Sequence, residues 1–144
     1  MVHLPLQQDS AYRKSMALPV TPPRFAASAP PPRVTVWFDG ACPLCRREIA
    51  LIRRLDWRGR IAFVDVTKAD AACPLDRAQL LARFHASEKG TILSGAAAFA
   101  AMWRAVPLLW PLGQFARLPL VLPVLERAYL AFLLVRPRLQ ALLR

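Results

Sequence analysis

Two cysteines, Cys42 and Cys45, stand two residues apart in the stretch VWFDGACPLCRREI, residues 36–49. That spacing serves three chemistries: a metal clip, a structural disulfide, or a dithiol that exchanges electrons. The surroundings bear on the choice. Pro43 suits the first position of a helix, where its missing N–H costs nothing. Cys42 then precedes a helix N-terminus, where unpaired N–H groups and the helix dipole favour an anion. Arg46 and Arg47 follow and add positive charge. A thiolate at Cys42 can attack a substrate disulfide, and Cys45, one turn along, can then attack Cys42 and release the reduced product.

The flanking elements must position the pair. VTVWF (34–38) is a β-branched and aromatic run of strand type, ended by the turn signal Asp39-Gly40. From Pro43 to about Leu55 the pattern is helical. Cys45, Ile49 and Ile52 lie at i, i+4 and i+7, Leu44, Leu51 and Leu55 widen that face, and Arg46, Arg47, Arg53 and Arg54 share the other. IAFVDV (61–66) reads as a second strand, so strand, helix and strand predict a parallel unit with a right-handed crossover. PLDRAQLLA is a short helix candidate, and RFHASEKGTILSG reads as two short strands around Glu88-Lys89-Gly90. AAAFAAMWRAV is a strong helix stopped at Pro107, and the remainder is helix-rich but cut into pieces by Pro111, Pro119, Pro123 and Pro137.

A structural zinc site normally takes four ligands. The spare candidates are Cys73, His85 and His3, and Cys73 and His85 fit no usual spacing with Cys42 and Cys45. A metal-binding or interaction module using Cys42 and Cys45 as ligands stays as the alternative to redox chemistry. Cys73 reads as a small apolar residue or an accessory thiol, His85 as structural or exposed, and Trp37 and Trp103 as core. Asp39 has two readings. It either takes or relays the proton of the resolving thiol or shapes the turn by bonding its own backbone. Its charge would also oppose the helix dipole at Cys42, so the sign of that thiol's pKa shift is left open.

The motif Asp39-Gly40-x-Cys42-x-x-Cys45 after a hydrophobic strand resembles the DCC family of thiol-disulfide oxidoreductases. FVDVT, GTILSGAAAF with Gly90 and Gly95, MW…VP and a late Y…F…R pattern extend the resemblance over roughly residues 34–136. It implies an α/β, thioredoxin-like three-layer sandwich with a helical C-terminal extension. It also implies a redox centre at Cys42 and Cys45, with Asp39 matching the motif, no cofactor, and a disulfide-containing protein or small-molecule thiol as substrate. The electron donor is not implied. Two features depart from ordinary thioredoxins and bear on substrate docking: the CPLC dipeptide, and the absence of proline in LLARFHAS ahead of the third strand.

The chain has 144 residues, 56% of them hydrophobic, enough for one domain with a core. Residues 1–33 end in TPPRFAASAPPPR and read as a loosely ordered leader, leaving 34–144 as the domain. A net charge of +11 favours anionic partners in general, yet no helix-turn-helix, zinc-finger or RNA-binding signature accompanies it, so no specific nucleic acid is expected. Three cysteines are too few for a disulfide scaffold, and Gln7, Gln8, Asp9, Arg13 and Lys14 break up any signal-like apolar run. The expected location is the cytoplasm, although a basic, acid-poor N-terminal segment also has the composition of a transit peptide. The apolar tail 118–135 approaches a membrane span, but Glu126 and Arg127 lie in its middle. Packing on the domain is therefore expected, with peripheral contact through Arg117, Arg127, Arg136 and Arg138 as the membrane alternative.

Overall fold

The computed structural model describes residues 31–144. Most of the proline-rich leader, and His3 with it, lies outside them. The elements are β1 (Val34–Phe38), α1 (Pro43–Leu55), β2 (Ile61–Asp65), α2 (Arg77–Ala82), β3 (His85–Glu88), β4 (Thr91–Ser94), α3 (Ala96–Ala105), a 3-10 turn (Pro107–Leu109), α4 (Trp110–Ala116) and α5 (Leu122–Leu142). The four strands form one mixed sheet in the order β2-β1-β3-β4. β1 and β2 are parallel with Val34 opposite Ile61, as the strand-helix-strand pattern predicts. β3 runs antiparallel to β1 and pairs with β4 through a hairpin whose two turn residues, Lys89 and Gly90, both have positive φ.

Alternation along β1 divides the core between the two faces of the sheet. Val34 and Val36 point to one face, where Ile49 and Ile52 of α1 and Ala98, Met102 and Ala105 of α3 cover them. Trp37 points to the other, against Val66 and against Leu80 of α2, and its indole N–H donates to the carbonyl of Ala72 at 2.8 Å. Helices therefore flank both faces. Each fully buried side chain such as Val36 or Met102 contributes about 1.5–3 kcal/mol by leaving water. Leu51 is a departure from the expected apolar face of α1: it lies toward solvent, 55% exposed, because Ile49 and Ile52 already fill the contact with the sheet.

The C-terminal helix also departs from expectation, since Pro137 does not cut α5. A proline in a helix interior removes one hydrogen bond and crowds the preceding turn, at about 3 kcal/mol. The helix continues because contacts before and after Pro137 hold it against the domain. Tyr129 is buried, its hydroxyl accepts the N–H of Phe84 at 2.7 Å, and its ring meets Phe99 edge-on at 5.7 Å. Glu126 accepts the N–H of Ala96 at 2.8 Å, at the start of α3, and its other oxygen pairs with Arg83. Gly95 is required beneath this junction: its φ is +64°, and a Cβ there would overlap Arg83 and Glu126.

Glu126 thus fixes α5 to both α3 and the entry to β3. Replacing it with alanine leaves the Ala96 N–H without its acceptor and Arg83 without its counter-charge. Loss of about 2 kcal/mol is expected, the usual worth of hydrogen bonds to a charged group. Urea denaturation of Glu126→Ala against the parent chain reads it directly.

Candidate active site

The dithiol sits at the C-terminal end of β1. Cys42 is the N-cap of α1, with extended backbone angles, and its sulfur accepts the N–H of Cys45 at 3.3 Å. The N–H of Cys42 in turn donates to the carbonyl of Asp39 at 3.2 Å, closing the turn that presents the first sulfur to the helix. A second carboxylate braces this loop. Asp65, at the end of the parallel neighbour β2, accepts the N–H of Gly40 at 3.1 Å, the N–H of Thr67 at 2.9 Å and the Thr67 hydroxyl at 2.6 Å. Gly40 has to be glycine there, since a Cβ would overlap the Asp65 carboxylate. Burial opposes the charge of Asp65, but the Thr67 and Gly40 donors and the nearby Lys68 outweigh it and hold the carboxyl below its usual range.

The other wall of the site comes from α5, about ninety residues further along the chain. Gln140 donates from Nε2 to the sulfur of Cys42 at 3.1 Å. Arg136 places Nη2 3.6 Å from the sulfur of Cys45 and 3.7 Å from Oδ2 of Asp39. The cation beside the sulfurs is therefore Arg136. Arg46 and Arg47, which the sequence placed there, are exposed, because positions immediately after Cys45 turn outward on α1. In the membrane alternative for the tail Arg136 would face lipid headgroups; it instead turns inward, with its side chain only 15% exposed.

The two thiols are driven apart. For Cys42 burial raises the pKa, but the hydrogen bonds from the Cys45 thiol and N–H, from Gln140 and from Arg136 together outweigh it and bring the thiol below 9.0. For Cys45 burial acts first, and its hydrogen bond to Cys42 and the charge of that neighbour add to it. Arg136 offsets only part, and the thiol is pushed up to about 12. Both cysteines and Cys73 are free thiols. Cys42 is the more enclosed, at 3% exposure.

Asp39 does shape the turn, accepting the Ala41 N–H at 2.9 Å through one oxygen while the other faces Arg136. It also lines a cavity of about 50 Å³ together with Cys45, Arg136 and Glu48. Glu48, one turn beyond Cys45, was not singled out by the sequence, and burial pushes its carboxyl up. Cys73 packs against the small cluster of Trp37, Val66 and Leu80, and His85 is buried with Nδ1 2.9 Å from the Arg83 carbonyl, so neither joins the dithiol. Among the described residues no three His, Cys, Asp or Glu side chains are grouped to hold a metal.

An α/β domain carrying two unlike thiols at a helix N-terminus defines a dithiol protein. The chain matches the DCC1-like thiol-disulfide oxidoreductase family over residues 36–142, and it belongs to that family. It is also 30% identical over 115 residues to an uncharacterized chloroplastic protein of Arabidopsis thaliana, covering 68% of this chain. The match takes in 54% of the relative, so the chain spans about half of that protein's length. No solved structure matches.

The asymmetry of the thiols has a direct readout. Alkylation of Cys42 by iodoacetamide should rise with a midpoint below pH 9.0, while Cys45 stays unmodified until far more alkaline pH. Gln140→Ala removes a donor to the Cys42 sulfur, so its midpoint should move up towards 9.0. Peptide mass mapping across a pH series measures both.

Proposed function

We propose that the protein is a thioredoxin-like thiol-disulfide oxidoreductase of the protein-disulfide reductase type, in which Cys42 is the attacking thiol and Cys45 the resolving one. The observation that carries this reading is the donor set converging on the Cys42 sulfur: the Cys45 N–H, the Cys45 thiol and the Gln140 amide. The mixed sheet with helices on both faces is the arrangement such a fold uses, and family membership supports thiol-disulfide chemistry.

The reaction runs in two displacements. The Cys42 thiolate attacks one sulfur of the substrate disulfide, forming a mixed disulfide and expelling the other substrate sulfur as a thiolate. Cys45 then loses its proton and attacks the Cys42 sulfur, forming the Cys42–Cys45 disulfide and releasing the second substrate sulfur. Two electrons pass from the pair to the substrate, and an external thiol reductant restores the dithiol. The helix N-terminus and Gln140 favour the anion at Cys42 in the starting state and again when that sulfur is the leaving group in re-reduction.

A Cys45 thiol near 12 needs a proton acceptor at the moment of attack. Asp39 takes this role in our reading, through water held in the cavity it shares with Cys45 and Glu48. A void of about 50 Å³ exceeds the ~10–15 Å³ of occupied volume that one water requires. Substrate access requires the last turns of α5 to move, since Gln140 donates to the sulfur of Cys42, a residue that is only 3% exposed. Pro137 supplies the weak point, because its missing N–H leaves the Leu133 carbonyl without its helical partner, just ahead of the turn that carries Gln140. A reductive role fits a reducing compartment such as the cytoplasm.

Two variants test this reading with a disulfide-bonded substrate such as insulin and a thiol reductant. Cys42→Ser should abolish turnover, and Cys45→Ser should accumulate the mixed disulfide at Cys42, visible by mass. Turnover that survives Cys42→Ser, with metal retained through purification, would establish the metal-module alternative instead. Asp39→Asn should slow resolution by roughly a hundredfold near neutral pH, the lower range of general-base contributions, and recover as pH rises. An unchanged pH–rate profile removes Asp39 from the proton path.

A further inference from the structure

The end of the sheet opposite the dithiol gathers cations and exposed apolar side chains that thiol exchange does not use. We infer that it is a docking surface for an anionic lipid membrane. Because β1 and β2 are parallel, the start of β1 and the loop entering β2 lie at the same end, and the β3–β4 hairpin turns there too. A cleft of about 460 Å³ at this end brings together Arg33, Lys89, Arg104 and Arg117 around Trp110, with Glu88 as its one carboxylate. Glu88 is engaged by Arg104 at 2.6 Å, whereas Arg33, Lys89 and Arg117 form no salt bridge among the described residues. The neighbouring loop adds Arg58 and Arg60. Desolvation, and then repulsion from Arg33 and Arg58, hold the Arg60 guanidinium below its ordinary pKa.

Beside these cations the outer side of α4 carries no polar residue. The helix meets α3 through Gly113 and Ala116, which are buried, and this leaves Leu112 and Phe115 turned outward at 47% and 57% exposure. Leu118 and Leu120 extend the face, and Leu120 is 87% exposed. From Ala105 to Leu125 the chain has no acidic residue. Two tryptophans flank the surface, Trp57 at 64% and Trp110 at 50% exposure.

Exposed Trp at the rim, Leu and Phe beyond it and unpaired Arg and Lys alongside fit the three depths of an anionic bilayer surface: headgroup boundary, acyl region and phosphate layer. Charge selects this occupant over a neutral protein partner, because an apolar helix surrounded by unpaired cations leaves those charges unsatisfied against anything but an anion. The surface keeps Arg117 from the membrane alternative for the tail but not Arg136, which is committed to the dithiol, and no helix among the described residues is long and apolar enough to cross a membrane.

The test is co-sedimentation of the full chain with vesicles of phosphatidylcholine containing phosphatidylserine, and of phosphatidylcholine alone, at low and high salt. Binding should require phosphatidylserine and weaken with salt. Arg33→Ser, Lys89→Ser and Arg117→Ser should each weaken it about fivefold, corresponding to ~1 kcal/mol per cation at the surface. Leu112→Gln with Phe115→Ser should weaken it roughly tenfold through lost apolar burial. Arg46→Ser with Arg47→Ser, at the other end of the sheet, should change it little. No binding to phosphatidylserine vesicles overturns the proposal, and so does binding that falls equally with the Arg46 and Arg47 changes or ignores the apolar pair. Those last results mark unspecific attraction of a basic chain. Should the apolar variant fail to fold, quenching of tryptophan fluorescence by brominated lipid decides. Quenching that diminishes in Trp110→Phe supports the surface, and none in the parent chain overturns it. Cysteine alkylation in the same samples reports separately on the redox reading.

Discussion

A buried sulfur at the N-cap of α1, favoured as an anion by the donors around it, is the constraint that organises this molecule. An anion removed from bulk water has to be met by donors, and the protein provides them from three directions. The helix supplies the Cys45 N–H, the neighbouring thiol supplies its proton, and α5 supplies the Gln140 amide. None of these works unless the loop from Asp39 to Cys42 is fixed. Asp65 fixes it from β2, and the parallel pairing of β2 with β1 brings Asp65 opposite Phe38 at the start of that loop. The small sheet is therefore more than a hydrophobic support: its register aligns the carboxylate that shapes the turn with the strand that enters it.

The second cysteine shows why one thiolate is favoured and two are not. Arg136 is the cation of the site, and it already faces Asp39 and the Cys42 sulfur. A charge on Cys45 would be a further anion in the same half-buried space. Burial and the neighbouring sulfur raise that thiol, and Arg136 is too heavily shared to reverse the effect. The difference between two chemically identical side chains thus follows from their positions on the first turn. One sulfur caps the helix and receives its N–H, while the other looks into a cavity lined largely by Leu and Phe side chains.

Much of the frame was legible in the sequence because local signals agreed with one another. The β-branched run, the Asp-Gly turn, Pro43 and the spacing of Ile49 and Ile52 marked β1 and α1 where the structure has them. The hairpin was readable from Lys89-Gly90, and α3 from its alanines. The residues that complete the site were not legible, for the same reason in each case. Gln140 and Arg136 matter through contacts separated by some ninety residues, and apolar residues all round α5, such as the exposed Leu130, Leu134 and Leu139, hide in the sequence the face that carries them. Asp65 was nearer to view, since FVDVT formed part of the family resemblance, but a carboxylate ending a strand has no visible partner until the strand order is known. Pro137 misled because a helix breaker is judged locally, whereas this helix is held on both sides of it by tertiary contacts.

The five residues of β1 also set the distance between the two ends of the molecule. At a rise of roughly 3.3 Å per residue they separate Arg33 from Asp39 by about 20 Å, about two and a half Debye lengths at physiological salt. The cationic end therefore contributes little to the potential at the Cys42 sulfur, which explains why Arg136 and Gln140 have to be delivered from α5 despite a net charge of +11. Excess charge in the chain is not a substitute for a donor in contact with the sulfur. The thiolate is stabilised by geometry over a few ångströms, and the chain's overall basicity is free to serve a different surface.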